Sequence, residues 1–338
     1  MRQPLSAQVK KGLARAFAKF NRYQLAKYNR DGEVKLRDVL FLCHAKPKDD
    51  QQAKDWKDLI NGTLEPPNTW EVALSTGKDK KETWERLISE GKLGGLAFLR
   101  NLRNMKEADV SESVIFDGLA KMNTERILPF RFISAAKYAP QWEAQIESVM
   151  LKCLEKTIKL SGKTILVVDV SSSMYGEKIS AKSELDRAEV ACSLAILIRE
   201  TCEYPVIYAT AGDDRTRIHQ TQVIPSRHGF ALKDVIYNLC RPLGGGGIFL
   251  KQVMDYISKH EKEAERIIVI TDEQDCGISS NDSPTKANAF GKQNYLINVA
   301  SYKNGIGYGK WTHFDGWSES VLDYIREYEN SGEEKNLN

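Results

Sequence analysis

At 338 residues, with 41% hydrophobic and 28% charged side chains, the chain has room for two globular domains. No apolar run approaches the ~20 residues of a membrane-spanning helix, and the basic amino terminus lacks the apolar core of a signal peptide. The net charge of +3 hides an asymmetry, because residues 1–150 carry 26 Lys and Arg against 20 Asp and Glu, leaving 23 against 26 elsewhere. The first 30 residues hold eight Lys or Arg and no acid, which points to a polyanionic partner at that end. Cys43, Cys153, Cys192, Cys202, Cys240 and Cys276 form no Cys-x-x-Cys pair. Free thiols in a reducing cytoplasm are therefore expected.

Residues 5–30 read as one amphipathic helix, with Val9, Leu13, Ala16, Phe17 and Phe20 on one face. Lys11, Arg15, Lys19 and Arg22 fall on the opposite face. Lysine faces are usually solvated surface, but here no glutamate is interspersed. Helical spacing continues over Val34 to Cys43, Asp49 to Ile60, Thr83 to Glu90, Leu93 to Met105 and Glu112 to Met122. A run of short helices without strands suggests a HEAT-like α-solenoid. A further helix from Trp142 to Ile158 is expected to bridge this solenoid to the carboxyl-terminal half of the chain.

The pattern then changes. Ile165-Leu166-Val167-Val168 reads as a strand buried on both faces, ending in Asp169-Val170-Ser171-Ser172-Ser173. In an open α/β sheet the carboxyl end of such a strand faces the ligand crevice. A carboxylate and spaced hydroxyls there are hard donors suited to Mg²⁺. Ser183 to Ile198 reads as the following helix, and Val206 to Ala209 as another strand. Leu243-Gly244-Gly245-Gly246-Gly247-Ile248 supplies a close-approach loop, and Arg266 to Asp272 a second buried strand ending in an acid. Tyr295 to Ala300 and Ser318 to Tyr328 read as a strand and a closing helix. Asp-x-Ser-x-Ser, then glycines, then Thr-Asp resembles the metal site of a von Willebrand factor A domain. That resemblance implies a doubly wound α/β domain and a metal held by Asp169, Ser171, Ser173 and Asp272. The family's threonine ligand is missing: its position is Ile248, or Gly247 in the other register.

A second resemblance lies upstream. Leu13-Ala14-Arg15, Phe20 to Tyr28, Val34 to Val39 and His44-Ala45-Lys46-Pro47 look like the TROVE module. Thr69-Trp70-Glu71, Gly94 to Leu99, Arg100 to Met105 and Ile127-Leu128-Pro129-Phe130-Arg131 continue it. TROVE before an A domain resembles the Ro autoantigen family, including its bacterial members. The resemblance implies a cytoplasmic RNA-binding protein that takes small structured Y-like RNA on a basic surface. It also implies binding of single-stranded ends of misfolded noncoding RNA, with an exoribonuclease as a possible associate in RNA quality control. The family's helical modules are longer than this one, so the chain is either a fragment or a reduced member.

The organisation expected is a helical module at 1–140, a bridging helix at 141–160, the A domain at 161–329 and a disordered tail at 330–338. Lys10, Lys11, Arg15, Lys19, Arg22, Lys27, Lys35 and Arg37 are candidate phosphate contacts, with Arg100, Arg103 and Lys106 as a second cluster. Tyr23 and Tyr28 sit where bases could stack, but aromatics at helical spacing are more often core, and core is expected. His44 reads as a helix-end cap. An enzyme is not expected, since the glycine loop lacks the Lys-Ser/Thr ending of a P-loop and no histidine pairs with a nucleophile. The competing reading is a protein-docking module in which an acidic partner completes the metal's coordination.

Overall fold

A computed structural model describes residues 5–29, 32–65, 70, 74, 79–125, 127–128, 130–155, 157–180, 183, 185–277, 291–300, 309–316, 318 and 320–335. Thr69, Glu71 and Pro129 of the TROVE-like segments, and Glu184 of the expected helix, lie outside the described residues. So do residues 336–338 of the expected tail. Among the described residues, no helix is long and apolar enough to cross a membrane. Compactness divides the chain between Leu93 and Gly94.

In the first unit, the single helix expected over 5–30 is two helices, α1 (Ala7–Phe17) and α2 (Arg22–Tyr28). Asn21 forms a capping box with Gln24 and so starts a new helix. The buried Gln52 amide donates to the carbonyls of Ala18 (3.1 Å) and Phe20 (3.4 Å), holding the turn between them. That partner is over thirty residues away, which is why local periodicity ran through the break. Val9 and Ala16, expected on the apolar face, are exposed. Then come α3 (Leu36–Cys43), α4 (Asp50–Asn61) and α5 (Lys80–Ser89). His44 ends α3 in the left-handed conformation, matching the expected cap. Phe17, Leu25, Leu40, Cys43, Trp56 and Leu59 form the core of α1–α4. Phe17 meets Trp56 edge-on, at 5.8 Å between rings.

The second unit begins with α6 (Gly95–Glu107), α7 (Glu112–Lys121), α8 (Phe130–Tyr138) and α9 (Glu143–Glu155). A Cβ on Gly95 would lie 2.6 Å from the Asn123 carbonyl, so α6 starts on the one residue that lets the backbones meet. These helices belong to the same compact unit as the sheet, so the division by compactness falls inside the module expected at 1–140.

The sheet contains β1 (Leu160–Asp169), β2 (Cys202–Asp213), β3 (Ile218–Val223), β4 (Arg266–Thr271), β5 (Gln293–Asn298) and β6 (Thr312–Asp315), in the order β3-β2-β1-β4-β5-β6. All neighbours are parallel except β2 and β3. Ile165 to Val168 and Ile267 to Ile270 are fully buried, as a sheet covered on both faces requires. Helices α10 (Arg187–Thr201), α11 (Gly229–Tyr237), α12 (Leu250–His260) and α13 (Ser320–Lys335) complete the unit. The closing helix runs to Lys335, past the tail boundary expected at residue 330. The chain winds outward from β1 to β2 and β3, then returns to β4 on the other side of β1. This puts the topological switch point at the carboxyl ends of β1 and β4.

Candidate functional site

Asp169 ends β1 and Asp272 follows β4, and both are fully buried at the switch point. Asp169 Oδ1 accepts from the Ser171 amide at 2.8 Å, and Oδ2 accepts from the Thr271 hydroxyl at 2.7 Å. The hydroxyls of Ser171 and Ser173 lie 3.2 Å apart. Burial, reinforced by the Asp272 carboxylate, pushes the Asp169 carboxyl up to about 7. The four residues expected around a metal therefore do converge.

The glycine loop also arrives where expected. Gly244 has φ 94°, and a Cβ there would lie 2.5 Å from the Gly212 carbonyl. The Gly246 carbonyl accepts from the Ser172 amide at 3.4 Å. Ile248, at the threonine position, is fully buried and packs with Ile165, Val167 and Leu250 in the core under the sheet. It offers no oxygen.

A residue not anticipated as part of this site fills it. Arg187 Nη1 donates to Asp272 Oδ2 at 3.0 Å and to the Ser173 carbonyl at 3.1 Å. The other Asp272 oxygen accepts from the Gln274 amide at 3.2 Å. Arg187 is buried, at 7% exposure. This donor set does not fit the expected Mg²⁺. One carboxylate already faces a guanidinium, the other has both oxygens hydrogen-bonded, and the threonine is replaced by a hydrocarbon. The signal was in the sequence. Arg187 is the first residue of α10, where the helix dipole disfavours a cation, so an arginine there calls for a specific anion.

The second feature is a cleft of about 380 Å³ between α6, α8 and the segment before α10. Arg100, Arg103 and Asn104 line it from α6, Arg131 and Tyr138 from α8, and Ser183 and Leu185 from that segment. Arg100 and Arg103 are exposed, and Arg131 is half-buried with its guanidinium 4.4 Å from the Phe130 ring centre. Arg103 also pairs with Glu107 at 3.0 Å, a contact open to solvent. Two of the second cluster's three cations thus share one cleft. Lys106 lies outside its lining and donates to Gln141 at 3.2 Å. Arg131 was missed as a site residue, because only the packing of α6 against α8 brings it beside Arg100.

In the first unit, Lys11, Arg15, Lys19, Lys27 and Arg37 are exposed, and Lys10 and Lys35 are half-buried. Arg37 lies 3.8 Å from Asp38. Arg22 departs from the expected stripe. Its Nη1 donates to Asp55 at 3.1 Å and Asp58 at 2.6 Å, tying α2 to α4. Those carboxylates hold the Arg22 guanidinium above its usual value, and Arg22 draws Asp58 below its own. Tyr23 and Tyr28, expected in the core, are instead about half exposed, at 48% and 50%. Lys27 lies over the Tyr23 ring at 5.9 Å, and Tyr28 stacks on Phe20.

The sequence model of the TROVE domain family matches residues 61–230, just over half of the chain. The chain belongs to the TROVE family. Telomerase protein component 1 of Mus musculus is similar at 28% identity over 168 residues, 47% of this chain and 6% of that protein. The Rattus norvegicus protein of the same name is 36% identical over 91 residues, 25% of this chain and 4% of the relative. The chain thus matches only a small fraction of these curated relatives. Among solved structures, the RO (RSR) protein of Deinococcus radiodurans aligns over 93% of this chain and 75% of that one. Its TM-score is 0.63 at 15% identity, so this likeness is one of fold: helices followed by the α/β unit.

The TROVE match contains Arg100, Arg103, Arg131, Asp169 and Arg187. It begins after the TROVE-like segments at residues 13–47, and ends before the glycine loop and Asp272. The arginine cleft therefore lies within the part of the chain that defines the family.

Proposed function

We propose that this TROVE-family chain binds RNA, and that the cleft between α6 and α8 receives a single-stranded segment of it. The observation that carries the reading is the convergence of Arg100, Arg103 and Arg131 on one cleft that also exposes Tyr138. Guanidinium groups suit phosphate through paired hydrogen bonds, and their planes and a tyrosine face can stack unpaired bases. A-form duplex presents phosphates but no free base faces, so a cleft of this kind favours an unpaired stretch. Family membership supports the RNA reading. The exposed cations of α1 and the half-exposed Tyr23 and Tyr28 supply a second basic surface, suited to the phosphates of a structured noncoding RNA such as a Y-like stem-loop.

Misfolded RNA with a frayed end would present both features, and an exoribonuclease acting on that end belongs to the same reading. The cysteines are all free, three of them buried, which supports a reducing compartment such as the cytoplasm. The role proposed is binding, with no catalytic step assigned to the chain.

The test compares a labelled duplex carrying a single-stranded 3′ tail with the same duplex blunt-ended, by fluorescence anisotropy. Tighter binding of the tailed duplex supports the cleft. Equal affinity would leave only surface binding, and affinity for both no better than ~10⁻⁴–10⁻⁶ M would sink the RNA reading.

A further inference from the structure

We infer that Arg187 is the resident cation of the strand-end crevice, filling the electrostatic role that the A-domain resemblance assigns to a divalent metal. The crevice is therefore built to work without one. Arg187 joins the same two elements that such an ion would join. Its Nη1 reaches Asp272 after β4 and the Ser173 carbonyl in the loop after β1. Asp272 is fully buried and Arg187 nearly so, and a carboxylate removed from water needs a compensating charge close by. The Arg187 guanidinium, 3.0 Å from Asp272, supplies it.

The surroundings agree with that assignment. Asp186 caps α10 through the Glu189 amide at 2.7 Å, and Glu189 returns a bond to the Asp186 amide at 3.0 Å. This capping box fixes the helix start, so Arg187 is delivered to the crevice by a rigid element. Its own amide donates to the Glu177 carbonyl at 3.2 Å, which draws the loop after β1 toward the helix. A metal entering here would meet a like charge on its carboxylate ligand and a hydrocarbon at Ile248. The competing function, in which a partner's acidic side chain completes a metal shell, loses its basis at this site.

The experiment is a Mn²⁺ titration of the full chain followed by electron paramagnetic resonance, in which bound Mn²⁺ loses the free-ion signal. Thermal unfolding in Mg²⁺ and in EDTA runs alongside it. The wild-type chain is expected to leave the Mn²⁺ signal unchanged and to show one melting temperature in both solutions. R187A is expected to gain one bound Mn²⁺ per chain and to melt higher in Mg²⁺ than in EDTA, the ion replacing the lost charge. Stoichiometric Mn²⁺ binding by the wild type that persists in H313A, which removes the separate metal-capable cluster of Glu273, His313 and Asp315, overturns the inference, and that measurement stands even if R187A fails to fold. A folded R187A that gains no metal also overturns it, because exclusion would then owe nothing to Arg187.

Discussion

Arg187 and Asp272 stand 85 residues apart in the chain and meet at 3.0 Å, joining the start of α10 to the loop after β4. The pair is almost wholly removed from solvent, with side-chain exposures of 9% and 0%. Breaking a buried pair from one side leaves the other charge uncompensated, at a typical cost of about 3–5 kcal/mol. Arg187→Met in metal-free buffer should therefore destabilise the fold by about that much in urea unfolding. Combining it with Asp272→Leu should recover a large part of the loss, since apolar replacement of a whole pair is often close to neutral. A double variant no better than the single one would show that the pair is not the unit of stability.

A second buried cation anchors the closing helix. Arg266 is 2% exposed, and its Nη2 and Nε reach Glu329 at 2.6 and 2.9 Å. It also donates to the Thr164 hydroxyl at 2.8 Å, while the Tyr295 hydroxyl donates to Glu329 at 3.0 Å. Sheet and helix α13 are thereby tied through one charged network. Glu329→Ala should cost about 3 kcal/mol and raise amide exchange along α13 more than along β1. Uniform exchange across both elements would contradict the anchoring role.

The pH dependence of stability should carry a histidine signature. Burial alone would lower the His313 imidazole, but Glu273 at 2.5 Å and Asp315 at 3.2 Å raise it on balance above its ordinary 6.5. A histidine raised in the folded state contributes stability that is complete below its unfolded value and is lost as pH climbs through the folded one. The melting temperature should thus fall as pH rises from about 6.5 upward. His313→Gln should flatten that slope while leaving the acid limb of the profile in place. An unchanged slope in the variant would assign the titration elsewhere.

The basic helices need a selective test, because Arg22 binds Asp55 and Asp58 and so reports on folding as well as charge. Reversing Lys11, Arg15 and Lys19 together, with Arg22 left in place, should weaken RNA binding and leave the circular dichroism melt unchanged. Adding Arg22→Glu should lower the melt. If the three-residue variant binds RNA as the wild type does, α1 is a solvated surface and nothing more.

The buried parallel core was legible because Ile165 to Asp169 and Arg266 to Asp272 are local signals: β-branched runs that stop at an acid. The convergence of Asp169, Ser171, Ser173 and Asp272 results from that, since the switch point lies where such strands end. Other features depended on distant partners. Strand β3 reads Ile-His-Gln-Thr-Gln-Val and is largely exposed at the sheet edge, so it has no apolar period to betray it. The break between α1 and α2 rests on Gln52, and the exposure of Tyr23 and Tyr28 on how α2 packs. Arg131 became a site residue only when α8 brought it beside Arg100.

We propose that the cleft of Arg100, Arg103 and Arg131 grips single-stranded RNA by its phosphates. The affinity for a tailed RNA across a salt series, for the wild type and the triple alanine variant, decides this. Single-strand contacts contribute about 0.7 each to the slope of log affinity against log salt. Losing three should therefore weaken binding at low salt and flatten that slope by about 2. A triple variant that keeps both the affinity and the slope of the wild type would show that RNA does not bind in this cleft.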